Sequence, residues 1–524
     1  MRSLLAFCVA PLAAAIFASP TRAADLPTRE TPVGRLALPV VPDSLVVSPD
    51  SSRVAFAAKA GDPTLEEKGV FINPRQTDPR NDSAKAAVNP ICLYIDDKST
   101  IPFDGMSRAI FSPDSKHLAY AGRTDKQWRL VVDGKTLVAD ADDAPGVPIV
   151  FSADSAHTAW VVQKDGRTLV TVDNRAWPPL EGGGVGGLSF SPDARHIALV
   201  MRVRGAWTIY VDGFALPAPT SASQPATRAA RPQLDKFGQL TWRPDCTGIA
   251  FYAGFAGTQW QLFYQSLDGT ITGSSPYDGI LRGSPAFSPD GRQSAYAGVT
   301  RNKWEVVSEL PLGAAGLRQA EFDQIFAESF AYYVPEGQTN FSLLYLAQQG
   351  KVWHLYQNGS PAAEAFDALS QGNFVVSPDK HHFAFAAVQN GHAVVIRDGV
   401  PLASHDEVAS STLAFSPDSR HLAYAAHIGG NWFACVDGTA GAPFSALAPT
   451  PPAFSPDSSR IAFAGLDAAK AWRVIVGKDA EFRSKPFDAF LKGSHIHWRA
   501  DGTIVTLAIE KKVAMRVEAT PPAK

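Results

Sequence analysis

Eleven copies of one short phrase, set about forty residues apart, predict an all-β chain folded as a β-propeller of about eleven four-stranded blades. Each phrase has the grammar of one small antiparallel sheet. The composition agrees. With 41 Gly, 40 Pro and 53 aromatic residues (30 Phe, 12 Tyr, 11 Trp), the chain is supplied for many turns and short strands rather than for long helices.

The phrase runs from an aromatic or apolar residue through Ser-Pro-Asp and one or two polar residues into an apolar strand with a central Ala. Clean copies start at Ser48, Ser112, Ser191, Ser288, Ser377, Ser416 and Ser455. Worn copies stand at Ser152-Ala153-Asp154, Arg243-Pro244-Asp245, Val334-Pro335-Glu336 and Arg499-Ala500-Asp501. Successive copies lie 39 to 52 residues apart, except for a first gap of 64. That gap holds a polar insertion at 59–90, and the gap of 52 holds a Pro/Ala/Ser/Thr-rich segment at 217–233.

The copy at Ser112 shows the expected elements in order. Arg108–Phe111 is a first strand. Ser112-Pro113-Asp114-Ser115 is a tight turn, in which Pro presets φ and Asp bonds nearby N–H groups. His117–Ala121 is a second strand and Trp128–Val132 a third. Asp133-Gly134 forms a hairpin turn tolerant of positive φ, and Lys135–Val138 is a fourth strand. Third strands ending in Asp-Gly or Asn-Gly recur at Asp212, Asn358, Asp398 and Asp437. Aromatic-Asp pairs follow many fourth strands, among them Phe103-Asp104, Tyr277-Asp278, Phe322-Asp323, Phe366-Asp367 and Phe487-Asp488.

The repeated side chains have packing roles. Phe111, Phe151, Phe190, Trp242, Phe287, Phe415, Phe454 and Trp498 precede the turn, where they would fill the space between blades. Ala55, Ala119, Ala159, Ala198, Ala250, Ala295, Ala384, Ala423 and Ala462 stand mid-second-strand, where a methyl lets the next blade approach. The last unit has three strands of its own. A spare strand at Gly34–Leu38 would complete it and close the structure. The favoured division is two tandem propellers of about six and five blades, at 33–312 and 313–520; the alternative is one large ring.

The phrases resemble the Ser-Pro-Asp-Gly turns of the TolB-like, WD-type propeller repeats, and the resemblance covers nearly all of residues 33–518. It implies the propeller fold. Function does not follow from it, because propellers host unrelated roles. The separate α/β domain that precedes the TolB propeller has no counterpart here.

Residues 1–24 read as a secretory signal peptide. Arg2 is the positive start, Leu4–Phe17 the apolar stretch, and Thr21-Arg22-Ala23 or its neighbour Ala24 the cleavage signature. The expected location is therefore periplasmic or secreted, and no later stretch is long enough for a transmembrane segment. Loss of Arg2 and Arg22 takes the net charge from −3 to −5, which argues against a nucleic-acid partner. Cys92, Cys246 and Cys435 remain. Buried free thiols are the simpler reading, and one Cys92–Cys435 bridge is the alternative.

The chain carries no Gly-x-Ser-x-Gly elbow, phosphate loop, dinucleotide fingerprint or zinc-type Cys spacing. A residue repeated in every blade is structural rather than catalytic. Histidine is the uneven signal, since nine of twelve lie after residue 350. His495 and His497 alternate on a predicted first strand, so both face one way and could ligate zinc or manganese with a carboxylate. His117, His157, His196, His382 and His421 share one slot after the turn and read as part of the repeat. Asp140, Asp142 and Asp143 form a small acidic loop. The seven Trp at third-strand starts read as packing, with an aromatic lining for sugars or peptides as the alternative.

The sequence thus points to a non-catalytic exported scaffold for a protein or peptide partner, with no cofactor. The alternatives are a propeller enzyme of the polysaccharide lyase or hydrolase type with a channel metal, and a glycan or small-ligand binder.

Overall fold

The computed structural model describes residues 23–35, 41, 44–59, 91–96, 98–143, 149–173, 175–217, 234–255, 259–309, 317–370, 372 and 374–522. The bulk of the signal peptide, most of the 59–90 insertion and most of the 217–233 segment lie outside these residues. The described chain forms eleven antiparallel sheets in sequence order, the blades of a propeller. Blades 1 to 5 span 46–99, 105–141, 149–181, 183–215 and 234–273. Blades 6 to 10 span 279–322, 324–361, 368–405, 407–444 and 446–483, and blade 11 spans 489–519. Among the described residues, helix is confined to one 3-10 turn at Ala327–Ser329.

Blade 2 shows why this sequence makes a blade. Its second strand, Leu118–Thr124, pairs with the third, Gln127–Val132, which pairs with the fourth, Lys135–Ala141. Asp133 and Gly134 both adopt positive φ, 49° and 77°, so the last hairpin turns in the sense that suits twisted strands. The first strand departs from the sequence expectation. It comes in two pieces, Gly105–Met106 and Ile110–Phe111, with Arg108 in the break between them. Blades 6, 7, 8, 10 and 11 are broken in the same way. In the break, the Ser107 hydroxyl accepts the second-strand N–H of Ala121 at 2.9 Å and so replaces a lost ladder bond. Ser44, Ser329 and Thr412 do the same in blades 1, 7 and 9. This is a β-bulge stabilised by a side chain.

The core lies between blades. The nine mid-strand alanines are all buried. One hydrophobic cluster joins each blade to the next in the chain, from blades 1 and 2 through blades 10 and 11. Blades 6 and 7 are among the joined pairs, through Ala297, Phe322, Tyr332 and Tyr345. A further cluster joins blade 11 to blade 1 through Leu507, Ala514, Val54 and Phe56. The aromatic-Asp pairs contribute from both members. The ring of Phe103 or Tyr277 lies over a second-strand glycine of the next blade, Gly122 or Gly298. The Asp caps the following hairpin: Asp104, Asp278 and Asp323 accept N–H groups of Asp125, Arg301 and Gly350 at 2.8–3.0 Å.

The N-terminal segment completes blade 11; of the expected Gly34–Leu38, Gly34 and Arg35 take part, and 36–38 lie outside the described residues. Thr28–Arg35 pairs antiparallel with Val513–Ala519 as the outer strand of blade 11. This strand contains Pro32, a residue type that opposes strand pairing. Here it sits at a bulge beside Gly34, where the register shifts. Before it, Ala24–Asp25 adds a parallel strand to the edge of blade 10.

Candidate functional site

The Ser-Pro-Asp turns gather on one face, and their side chains form a repeated lock. In blade 2 the Ser112 hydroxyl donates to the Asp114 carboxylate (2.6 Å) and accepts the N–H of His117 (2.9 Å). The imidazole of His117 bonds Asp133 at 2.7 Å, and the other Asp133 oxygen accepts the N–H of Leu118. The same Ser–Asp and His–Asp pairs recur at Ser152/His157, Ser191/His196, Ser377/His382 and Ser416/His421. The turn serines are buried, so their hydroxyls serve the turn rather than a substrate. The Ser112 hydroxyl, followed by other bonds, holds the Asp114 carboxyl down at about 2, and the Ser455 hydroxyl does the same for Asp457.

A second lock links blade to blade. The residue after Ser-Pro-Asp adopts positive φ, and at Ser115, Ser155, Ser419 and Ser458 its hydroxyl accepts the N–H of the preceding blade's turn Asp. The pairs are Asp50 to Ser115, Asp114 to Ser155, Asp379 to Ser419 and Asp418 to Ser458, at 2.9–3.1 Å. In blade 11 that position is Gly502, and an added Cβ there would meet nothing within 4 Å.

A cleft of about 610 Å³ opens at this gap between blades 10 and 11, lined by Asp457, Trp498, Asp501, Gly502 and the tail residues Thr520–Pro522. Beside it, between blades 9 and 10, lies a second cleft of about 380 Å³ that includes His421, Asp437, Phe454, Lys478 and Glu481. Ser459 and Arg460 line both clefts, which makes them one groove. Arg460 lies over the Phe482 ring and donates to the Pro522 carbonyl at 2.7 Å, holding the tail along the groove. The His421–Asp437 pair at its edge belongs to the repeated lock. The groove therefore offers aromatic, carboxylate and cationic groups without a unique reactive set.

The histidines singled out from sequence sit at the seam between blades 11 and 1. His497 starts the short strand His497–Trp498, while His495 precedes it. The His495 backbone N–H donates to the Ser51 hydroxyl (3.1 Å), and its Nε2 donates to the Pro49 carbonyl (2.7 Å). Burial lowers the pKa of His497, offset in part by Asp50 nearby. No group of three His, Cys, Asp or Glu side chains able to hold a metal occurs among the described residues. Asp142 accepts the N–H of Asp165, the hairpin-capping role of the aromatic-Asp pairs. Cys92 and Cys435 are free and buried, in clusters of blades 11/1 and 8/9, and burial pushes the Cys435 thiol up to about 12.

Sequence reasoning missed the groove. The residue after the turn acid gave no signal for it, since Ser is absent there at Ala194, Cys246, Gly291, Gly337 and Lys380 as well as at Gly502.

No family model matches the chain, and no curated protein matches it. Solved structures do. A eukaryotic initiation factor structure aligns at 12% identity over 68% of this chain and 93% of its own, with a TM-score of 0.37. TolB of Acinetobacter baumannii aligns at 17% identity over 65% and 81%, with a TM-score of 0.22. The periplasmic gluconolactonase PpgL of Pseudomonas aeruginosa aligns at 16% over 53% and 84%, with a TM-score of 0.28. Likeness at these identities concerns the fold alone.

Proposed function

We propose that this chain is an exported, non-catalytic scaffold whose turn face over blades 9–11 receives a protein or peptide partner. One observation carries the reading. The Ser, His and Asp side chains that could do chemistry are engaged in a lock repeated from blade to blade, whereas the adjoining clefts over blades 9–11 leave an open surface of aromatic, carboxylate and cationic groups. Export is supported by the leader-like N-terminus. No described helix is long and apolar enough to cross a membrane.

The reading takes the eleven blades as one ring rather than two. Its support is the succession of clusters, in which blade 6 packs on blade 7 and blade 11 packs on blade 1.

The test replaces Ser459, an exposed residue common to both clefts. The same position is Lys116, Arg195 and Arg420 in other blades, so a large side chain is compatible with the turn. Ser459→Trp would fill the groove and leave the fold intact. Cross-linking in periplasmic extract should recover a partner with the natural chain that the variant fails to recover. Equal recovery by both, or turnover of a polysaccharide or lactone by the purified chain, refutes the proposal.

A further inference from the structure

We propose that a leader peptidase hydrolyses the Ala23–Ala24 bond, and that the N-terminus so produced is the first residue of a clasp holding blades 10, 11 and 1 together. The cleavage half of the proposal rests on the export reading above; the clasp half does not.

Two independent features meet at this bond. In the sequence, a cut after Ala23 places the small residues Thr21 and Ala23 at the third and first positions before it, the pattern such peptidases read. A cut one residue later places Arg22 at the third position. Among the described residues, which start at Ala23, backbone pairing begins at Ala24. Its nitrogen donates to the Glu481 carbonyl at 2.9 Å, and Leu26 donates to the Arg483 carbonyl at 2.8 Å. The pairing is parallel, Ala24 opposite Phe482 and Asp25 opposite Arg483. The cleavage signature therefore stops where the paired strand starts.

The segment then crosses three blades. Leu26 is 3% exposed and packs among Ala464, Ile496 and Ile504 of blades 10 and 11. Thr28–Arg35 supplies the outer strand of blade 11, and Glu30 reaches Lys485 at 3.5 Å. Val33, 2% exposed, joins Val54 and Phe56 of blade 1.

Hydrolysis consumes one water. The Ala23 carbonyl carbon gains its hydroxyl oxygen, the C–N bond breaks, and the Ala24 nitrogen takes up the protons to become an ammonium. That nitrogen is the one already bonded to Glu481. Processing turns a neutral donor into a charged one without moving it, and charge-assisted bonds of this kind are the stronger.

Two measurements test the proposal. Intact mass and N-terminal sequencing of the protein recovered from the envelope of an expressing bacterium should give Ala24. A start at Asp25 or beyond, or a retained leader, overturns the cleavage half. For the clasp, chains made directly in the cytosol are compared: one starting at Ala24, one starting at Thr28, and the Ala24 chain carrying Leu26→Asn. The last two should melt at least about 2 °C lower, the shift expected for 1 kcal/mol in a large domain. Equal melting of all three overturns the clasp. Neither measurement uses a partner, so failure here is distinct from failure of the scaffold reading.

Discussion

Gly298→Ala tests the packing between blades most directly. Gly298 lies on the second strand of blade 6, and an added Cβ would stand 2.2 Å from Cδ1 and 2.4 Å from Cγ of Tyr277. Tyr277 has little room to yield. It is 2% exposed, its backbone bonds Trp260 in both directions at 2.7 and 2.8 Å, and its ring meets Tyr296 edge-on at 6.1 Å. Overpacking of such a site costs about 1–3 kcal/mol, and a displaced aromatic pair about 0.5–1.5 kcal/mol more. The sum is about 1.5–4.5 kcal/mol, read as a lower urea midpoint at unchanged slope. Gly187→Ala is the control. Gly187 also lies on an inward strand, but its added Cβ would meet nothing within 4 Å and its φ is not positive. That change should be neutral or stabilising by up to about 1 kcal/mol through the unfolded chain. In a Tyr277→Ala background the cost of Gly298→Ala should vanish. Equal destabilisation in both backgrounds, or none in the natural one, would show that the ring does not require the glycine.

Four further outcomes are expected. Acid should weaken the fold between about pH 4 and pH 2. The carboxyls of Asp114 and Asp457 sit at about 2 in the folded chain against roughly 3.9 unfolded, so their stabilisation is complete above pH 4 and is lost as they protonate; urea midpoints across that range check this. Ser155→Ala removes the acceptor of the Asp114 N–H and should cost about 1 kcal/mol in the same assay. Ala194→Ser introduces the hydroxyl that blade 4 lacks at that position and should gain up to about 1 kcal/mol if the cross-blade lock is general. Zinc or manganese added to the metal-free protein should leave its melting temperature unchanged, because His495 already serves Pro49; a rise that His497→Ala abolishes would instead assign a metal to that seam.

The blades were legible because each repeated side chain answers a local demand. Ala119 has to be small, Asp133-Gly134 has to turn, and Ser112 has to bond Asp114, so all are visible within a window of about twenty residues. The locks between blades were not. Asp50 and Ser115 stand 65 residues apart, and neither departs from what its own turn already explains. The broken first strands escaped for a related reason: Arg108 reads as the start of a strand until the hydroxyl of Ser107 before it is seen occupying a ladder position. Ala24–Asp25 is two residues long and carries no pattern. The groove left no mark of its own, since glycine follows the turn acid at Gly291 and Gly337 as well as at Gly502. The His495/His497 pairing rested on a first strand covering both residues, whereas the observed strand begins at His497.

The pairing of Thr28–Arg35 with Val513–Ala519 also sets a timetable. In a chain that emerges from its amino end, residues 28–35 must wait for residues 513–519 before they have this neighbour. Until then an exposed strand and the hydrophobic flank of blade 1 stay uncovered, the state in which chains mispair or aggregate. Assembly of this molecule should therefore be slow at its final step and helped by anything that shields those residues during the wait, a demand that grows with every blade added between the two ends.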